Sequence, residues 1–341
     1  MEGSPASARR RGHRVVWPLA LLAACILFTS FTVFDQVMNR TGFEFLLNDQ
    51  LARHYRVMDG TAIDPWQYRV LSEVVVAAAL RLARWLGLSS AVLTAFIGVR
   101  LAQNLAVFLL AAVYWRRLGL ERLVMLVALA VLAWGITYSG YASDLAFSTY
   151  SDLIFYLVSA ILILENRVTW SLPLTLLAAL NRETAGLIPA LVLATAWGRK
   201  EGRIHADSRR VVIAGVGFAL YALTYGGLRL ALGPREMMQP YDHHVGLDML
   251  WFNLTSSYTY VFGFSMMSVV PFMALYFWKT WPEILRRFFW ALVPAWLGVH
   301  LLFGALQEAR LLLVPYVLVI LPAALLALQS SLQSPARAVA D

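Results

Sequence analysis

Stretches of apolar residues long enough to cross a hydrocarbon core recur along this chain from Val15 to Leu328. A helix rises about 1.5 Å per residue and the core of a bilayer is about 30 Å thick, so about 17 to 25 such residues span it. Every peptide group in lipid must find its hydrogen bond within the protein, and a long continuous apolar run does so only as a helix. A β-barrel would show short alternating segments instead. The fold class expected is therefore all-α, a polytopic transmembrane helical bundle.

Composition agrees. Hydrophobic residues make up 60% and charged residues 14% of the 341, whereas roughly a quarter of a soluble domain is charged. The formal net charge of +8 would suit a nucleic-acid partner, but the basic residues fall where a membrane topology needs them, so no nucleic acid is expected. The one cysteine, Cys25, lies inside the first apolar run and leaves no internal disulfide or cysteine metal site. That run, 15–34, lacks a small-residue cleavage site and reads as a retained helix.

Lys and Arg concentrate in cytoplasmic loops. Arg9, Arg10, Arg11 and Arg14 thus assign a basic cytoplasmic tail to 1–14 and put residues 35–69 outside. The stretch 70–88 is apolar enough to cross, yet Arg69, Glu73, Arg81 and Arg84 fall within one arc of about 120° at 100° per residue. It reads as a helix lying in the outer interface. If it does not cross, Arg116, Arg117, Arg122, Arg167, Arg199, Lys200, Arg203, Arg209, Arg210, Lys279, Arg286 and Arg287 all face inward. If it crosses, all face outward. The parity gives about eight full spans, at 15–34, 91–114, 121–138, 150–165, 209–231, 258–278, 288–304 and 311–328. Together they form a transmembrane domain 15–328 with a large first outer loop 35–88, followed by a cytoplasmic tail 329–341.

The inward placement holds only if residues 170–197 enter and leave on one side. Segments 170–180 and 184–197 are each too short to span, and "NRET" (181–184) separates them. They read as a hairpin of half-helices, with Asn181 capping the second and Glu183 in its first turn. Non-helical backbone at membrane depth is tolerated only inside protein or beside a wet cavity, and charges there mark function by default. Arg182 and Glu183 are therefore candidate site residues, with pairing inside the bundle as the alternative.

The outer side supplies the other candidates. Asp35 ends the first span, where a carboxylate can act as general base toward a hydroxyl. Trp66 and Tyr68 in "DPWQYRVL" read as interface anchors beside Arg69. Asp152 falls just inside the fourth span and needs a partner or water. Glu308 and Arg310 sit at the outer mouth of the last span, where Arg310 can pair with Glu308 or hold a phosphate. Asp242, His243 and His244 lack metal-ligand spacing and a third ligand; "NLT" at 253–255 is a formal glycosylation sequon. No metal or cofactor is expected.

These features together resemble the GT-C superfamily of integral membrane glycosyltransferases. "TYSDLIFYL" (149–157) is similar to the Tyr-Ser-acidic step of mannosyltransferases of the GPI-anchor type and their bacterial relatives. "NRETAGLIP" (181–189) is similar to the Arg-containing short helix that follows it there, and "QEARLLLVPYV" (307–317) to the acidic-x-Arg start of a late helix. The resemblance implies a sugar donor on a polyprenyl phosphate, with its tail among membrane lipids and transfer to an acceptor hydroxyl on the outer side. Asp35 would be the base, and Arg69, Arg182 and Arg310 the candidates to neutralise the departing phosphate. Many relatives carry neighbouring acids after the first helix. Here Gln36 follows Asp35, and Glu44 and Asp49 lie further on, which fits a metal-independent transfer. A bacterial inner membrane, with both termini cytoplasmic, is the expected location. The rival classes are a transporter or flippase for a lipid-linked or anionic substrate, which broken half-helices also suit, and a scaffold without chemistry.

Overall fold

The computed structural model describes residues 5–200 and 203–333, and for 5–15, 199–200 and 203–204 the backbone alone. The side chains of Arg9, Arg10, Arg11, Arg14, Arg199, Lys200 and Arg203, and the chain from 334 on, lie outside the described residues.

Helix α1 (Pro5–Phe34) does not stop at Asp35. It continues through π-helical turns at Asp35–Thr41 and Leu46–Gln50, and through α2 (Gly42–Phe45) and α3 (Leu51–Met58), as one helical run. The wider π turn brings residue i beside i+5. Arg40 Nε accordingly donates to Asp35 Oδ2 at 2.9 Å and Thr41 Oγ1 to the Gln36 carbonyl at 3.1 Å. Asp35 is thus a mid-helix residue held by its own helix, and the expected helix end there is corrected.

After a turn at 59–69 comes α4 (Val70–Trp85), whose face of Ser72, Val76, Leu80 and Ala83 is buried. The expected charged stripe splits. Arg69 precedes the helix and Glu73 turns inward to His54 Nδ1 at 2.7 Å, while Arg81 and Arg84 stay exposed. The remaining elements are α5 (Ala91–Arg117), α6 (Arg122–Tyr138), α7 (Phe147–Leu164), α8 (Ser171–Ala179), α9 (Leu187–Ala194), a small antiparallel pair β1 (Trp197–Lys200) and β2 (Arg203–Ala206), α10 (Ser208–Leu232), α11 (Leu247–Thr255), α12 (Ser257–Met267), α13 (Val270–Tyr276), α14 (Glu283–Phe303), α15 (Leu313–Pro315) and α16 (Leu321–Gln333). Residues 329–333, expected in the tail, belong to this last helix.

Among the described residues five helices are long and apolar enough to cross a membrane: 16–58, 91–117, 147–164, 208–232 and 309–333. The pair α12 and α13, bent by 74°, would make a sixth. Six of the eight expected crossings thus find a helix or bent pair of sufficient length and composition. Helix α6 has 17 residues, and α14, with Glu283, Arg286 and Arg287 at its start, stays outside the set. The chain is an integral membrane protein of helical architecture.

The core lies where α5, α6, α7, α9, α14 and the last helical run meet around Tyr114, Trp115, Leu132, Leu153, Trp296 and Val317. Pro322 has no N–H to offer Leu318 four residues back or Val317 five back. Their carbonyls receive Tyr114 Oη at 2.8 Å and Trp115 Nε1 at 3.2 Å from α5 instead. A proline inside a buried helix thereby becomes a tie between two helices.

Segments α8 and α9 form the expected hairpin, with α10 as its ruler. Near the start of α10, Arg209 Nη2 donates to Thr169 Oγ1 at 3.0 Å and Arg210 Nη1 to the Thr195 carbonyl at 3.2 Å, so both ends of the hairpin lie together. Twelve residues on, roughly 18 Å along the helix, Tyr221 Oη donates to the Glu183 carbonyl at 2.6 Å at the tip. Between these points a Cβ at Gly217 would stand 3.0 Å from Pro189 Cβ. Gly217→Ala is expected to push α9 from α10 and destabilise the fold by about 1–3 kcal/mol, read as a lower unfolding temperature in detergent. Gly215→Ala, which meets nothing within 4 Å, is the control and should not lower it.

Candidate functional site

The break between α8 and α9 exposes backbone that a membrane cannot solvate, and three of its carbonyls find donors on other elements. Leu71 N–H of α4 donates to the Leu180 carbonyl at 3.0 Å, Tyr221 caps the Glu183 carbonyl, and Tyr156 Oη donates to the Thr184 carbonyl at 2.5 Å. Asn181 does not cap α9. Its Nδ2 donates to the Ser148 carbonyl at 2.9 Å and its Oδ1 accepts from Ser72 Oγ, tying the tip to α7 and α4. The helical restart is preceded by Arg182 in extended conformation, with Glu183 in the first turn as expected.

A cavity of about 280 Å³ opens above this tip. It is bounded by the ends of α10 and α14, the start of the last helical run and the turn 64–69. Four arginines (Arg69, Arg182, Arg229, Arg310) and three carboxylates (Asp64, Glu183, Glu308) line it, with His300 and an apolar wall that includes Met237, Met238 and Phe303. Five of the seven sequence candidates therefore meet on one cavity. Asp152 lies directly beneath, fully buried, its Oδ2 accepting from Thr184 Oγ1 at 2.9 Å and 3.7 Å from Arg182 Nη1. Asp35 is not among the lining residues; Asn39 and Arg40 hold both its oxygens.

The arginines differ in how fully they are used. Arg69 grips Glu183 with two nitrogens, at 3.2 and 2.5 Å. Arg310 is shared among Glu308, Thr149 Oγ1 at 2.9 Å and Asp144 at 2.8 Å, and Asp144 in turn holds Arg53 at 2.6 Å. Arg182 is 2% exposed, yet its two carboxylate neighbours stand 3.7 Å away and its Nε has no hydrogen-bond partner. Its remaining contact is His300 Nε2 at 3.4 Å. His300 Nδ1 faces the Trp296 carbonyl at 2.8 Å, which only accepts, so Nδ1 carries the proton and Nε2 presents a lone pair to Arg182.

Sequence reasoning missed Asp64, Arg229 and His300. Both Asp64 oxygens accept from Arg229 Nη2, at 3.0 and 2.8 Å, and the guanidinium lies over the Tyr68 ring at 4.3 Å. Asp64 N–H donates to the Glu236 carbonyl at 2.9 Å and its carbonyl accepts from Met238 N–H at 2.8 Å, fixing the acid to the 233–240 loop. Burial raises its carboxyl from the ordinary value despite Arg229. Tyr68, expected as an interface anchor, is buried with its hydroxyl on the Gly233 carbonyl at 2.7 Å, and Trp66 turns to the cavity, which it lines under Arg53 and Arg69. The sequon residue Asn253 is buried as well: its Nδ2 donates to the Leu301 and Gly304 carbonyls and its Oδ1 accepts from Leu306 N–H at 2.7 Å, shaping the cavity rim. His243 pairs with Asp248 at 3.2 Å. Among the described residues no group of three or more His, Cys, Asp and Glu is placed to hold a metal ion.

Burial alone would raise the Asp144 carboxyl, but Arg310 and Arg53 outweigh it and hold it below its ordinary 3.8. A carboxylate lowered on folding contributes stability that is present above its unfolded value and lost as pH falls through its folded value. Thermal unfolding in detergent should therefore separate wild type from Asp144→Asn at pH 7, with the gap closing only below about pH 4. Comparison of the chain with protein-family models, with curated proteins and with solved structures finds no match.

Proposed function

We propose that this protein is a membrane glycosyltransferase that moves a sugar from a polyprenyl-phosphate donor to an acceptor hydroxyl on the extracytoplasmic side, within a GT-C-like architecture of about eight crossings. The observation that carries the reading is Arg182. A guanidinium is costly to bury without a full set of hydrogen-bonded partners, and this one sits at the floor of a cavity with its Nε unused. A phosphate oxygen is the partner its geometry suits. Arg69 and Arg310 stand beside it to balance the charge that grows on the leaving phosphate.

In the transfer, the acceptor oxygen attacks the anomeric carbon and gives its proton to a carboxylate. The bond from that carbon to the phosphate oxygen breaks, and polyprenyl phosphate leaves with one more negative charge. Asp64 is the carboxylate best suited as base: it lines the cavity, a single arginine holds it, and its raised proton affinity brings it closer to the operating pH. Asp35, the base that the family resemblance implies, is committed to Asn39 and Arg40. The lipid tail would leave along Met237, Met238 and Phe303. Both termini would be cytoplasmic in a bacterial inner membrane. A second reading, a transporter or flippase, is favoured by the broken hairpin with charges at its tip.

Mass spectrometry of lipid-linked sugars in host cells lacking the protein separates the two. The donor is expected to accumulate, to clear with wild type or Asp35→Asn, and to persist with Arg182→Gln or Asp64→Asn. Loss of a general base is expected to slow turnover about 10²- to 10⁴-fold. An unchanged pool in all strains would move transport ahead; clearance by Asp64→Asn but not Asp35→Asn would return the base to Asp35.

A further inference from the structure

A second groove, of about 380 Å³, lies between the start of α1 and the turn that joins α5 to α6. Its wall is Trp17, Leu21, Leu120 and Leu123, and Arg116 and Arg122 stand on it. Leu123 is 75% exposed. Arg116 has no hydrogen-bond or ion-pair partner among the described residues, and Arg122 meets only the face of Trp17, at 5.6 Å. The acid in the groove, Glu121, accepts from Gln333 Nε2 at 2.6 Å, which draws it toward the last helix.

The depth of this groove can be measured along that helix. Arg310 faces the cavity, whereas Gln329 Nε2 donates to the Gly119 carbonyl at 3.1 Å and its Oε1 accepts from Glu121 N–H at 2.8 Å. Nineteen residues of one continuous helical run separate them, roughly 28 Å of rise. That is close to the thickness of a hydrocarbon core, about 30 Å. With the cavity near one surface of the membrane, the groove stands at the headgroup level of the opposite leaflet.

We propose that this groove binds an anionic phospholipid. The phosphodiester is taken by Arg116 and Arg122, the glycerol backbone lies against Trp17, and an acyl chain follows Leu21 and Leu123. Two unpaired guanidiniums at headgroup depth above an apolar wall fit a lipid whose net charge is negative. Glu121 opposes a second anionic group, so one phosphate per site is expected. The site is remote from the cavity and independent of what the cavity does.

Native mass spectrometry of the full-length protein in detergent tests it with phosphatidylglycerol, phosphatidylethanolamine and inorganic phosphate as probes. Phosphatidylglycerol should be retained over phosphatidylethanolamine, and excess inorganic phosphate should not displace it. The double variant Arg116→Gln/Arg122→Gln should weaken phosphatidylglycerol binding about 30-fold, while Arg116→Lys/Arg122→Lys should stay within about threefold of wild type because the charge is kept. If the double Gln variant does not fold, Arg116→Gln alone should weaken binding about fivefold. Equal retention of the two lipids, displacement by phosphate alone, a Gln variant that binds as wild type, or a Lys variant that fails as badly as the Gln variant would each overturn the proposal.

Discussion

The architecture around the cavity depends on one constraint: a helix broken inside a membrane protein leaves carbonyls and amides that lipid cannot satisfy. The break at Leu180–Arg182 is permitted because three other elements deliver donors to it. The first turn of α4 supplies the Leu71 amide, α7 supplies Tyr156 and α10 supplies Tyr221. Each of these hydrogen bonds contributes about 0.5–1.5 kcal/mol. The packing of α4, α7 and α10 around the tip is therefore the condition for Arg182 to exist where it does.

The same elements carry the rest of the cavity. Immediately before α4 stands Arg69, which holds Glu183. The last turn of α10 carries Arg229, which holds Asp64, and the first turn of α7 carries Thr149, which steadies Arg310. The groups that satisfy the broken backbone and the groups that line the cavity thus belong to one set of helices. A shift of the tip would move both together, which keeps the arginines in fixed relation to one another and suits an electrostatic site that must be organised before its ligand arrives.

Much of this was legible in the sequence and some was not. The hairpin was legible because two segments of about a dozen residues cannot span, and because the basic loops require 170–197 to return to its starting side. Arg69, Arg182, Glu183, Glu308 and Arg310 were legible as charges among apolar residues. Asp64 and Arg229 were hidden: they lie 165 positions apart, and nothing local marks either as paired. A stronger signal was available at His300, a lone imidazole inside an apolar helix, but its meaning depends on an arginine 118 residues away. Asp35 misled because periodicity at 3.6 residues reads a polar position after an apolar run as a helix end. A π turn reads the same residues as a continuing helix, with Arg40 five positions on as the partner. The number of spans suffered from the same limit, since bends and short helices break the link between apolar length and crossing.

The pairing inside the cavity also constrains what can enter it. Arg69 and Arg310 already hold carboxylates, so a ligand meeting them must displace or share those bonds, and a neutral ligand gains little by doing so. Arg182 is different. Its neighbours Asp152 and Glu183 offset its charge from 3.7 Å without using its donors, and His300 steers one edge of the guanidinium without adding charge. Such a group is neutralised at long range and only partly satisfied at short range, its Nε having no partner. It favours a ligand that brings several acceptor atoms on a compact, singly charged group over one that brings charge alone. A phosphodiester meets that description. In the proposed transfer it would also gain charge as its ester bond breaks, and Arg69 and Arg310 would then shift from their carboxylates toward the departing oxygen. The partial occupancy of the arginines by internal acids would then keep the ground state from being held too tightly and leave the stronger interaction for the charge that develops in the transition state.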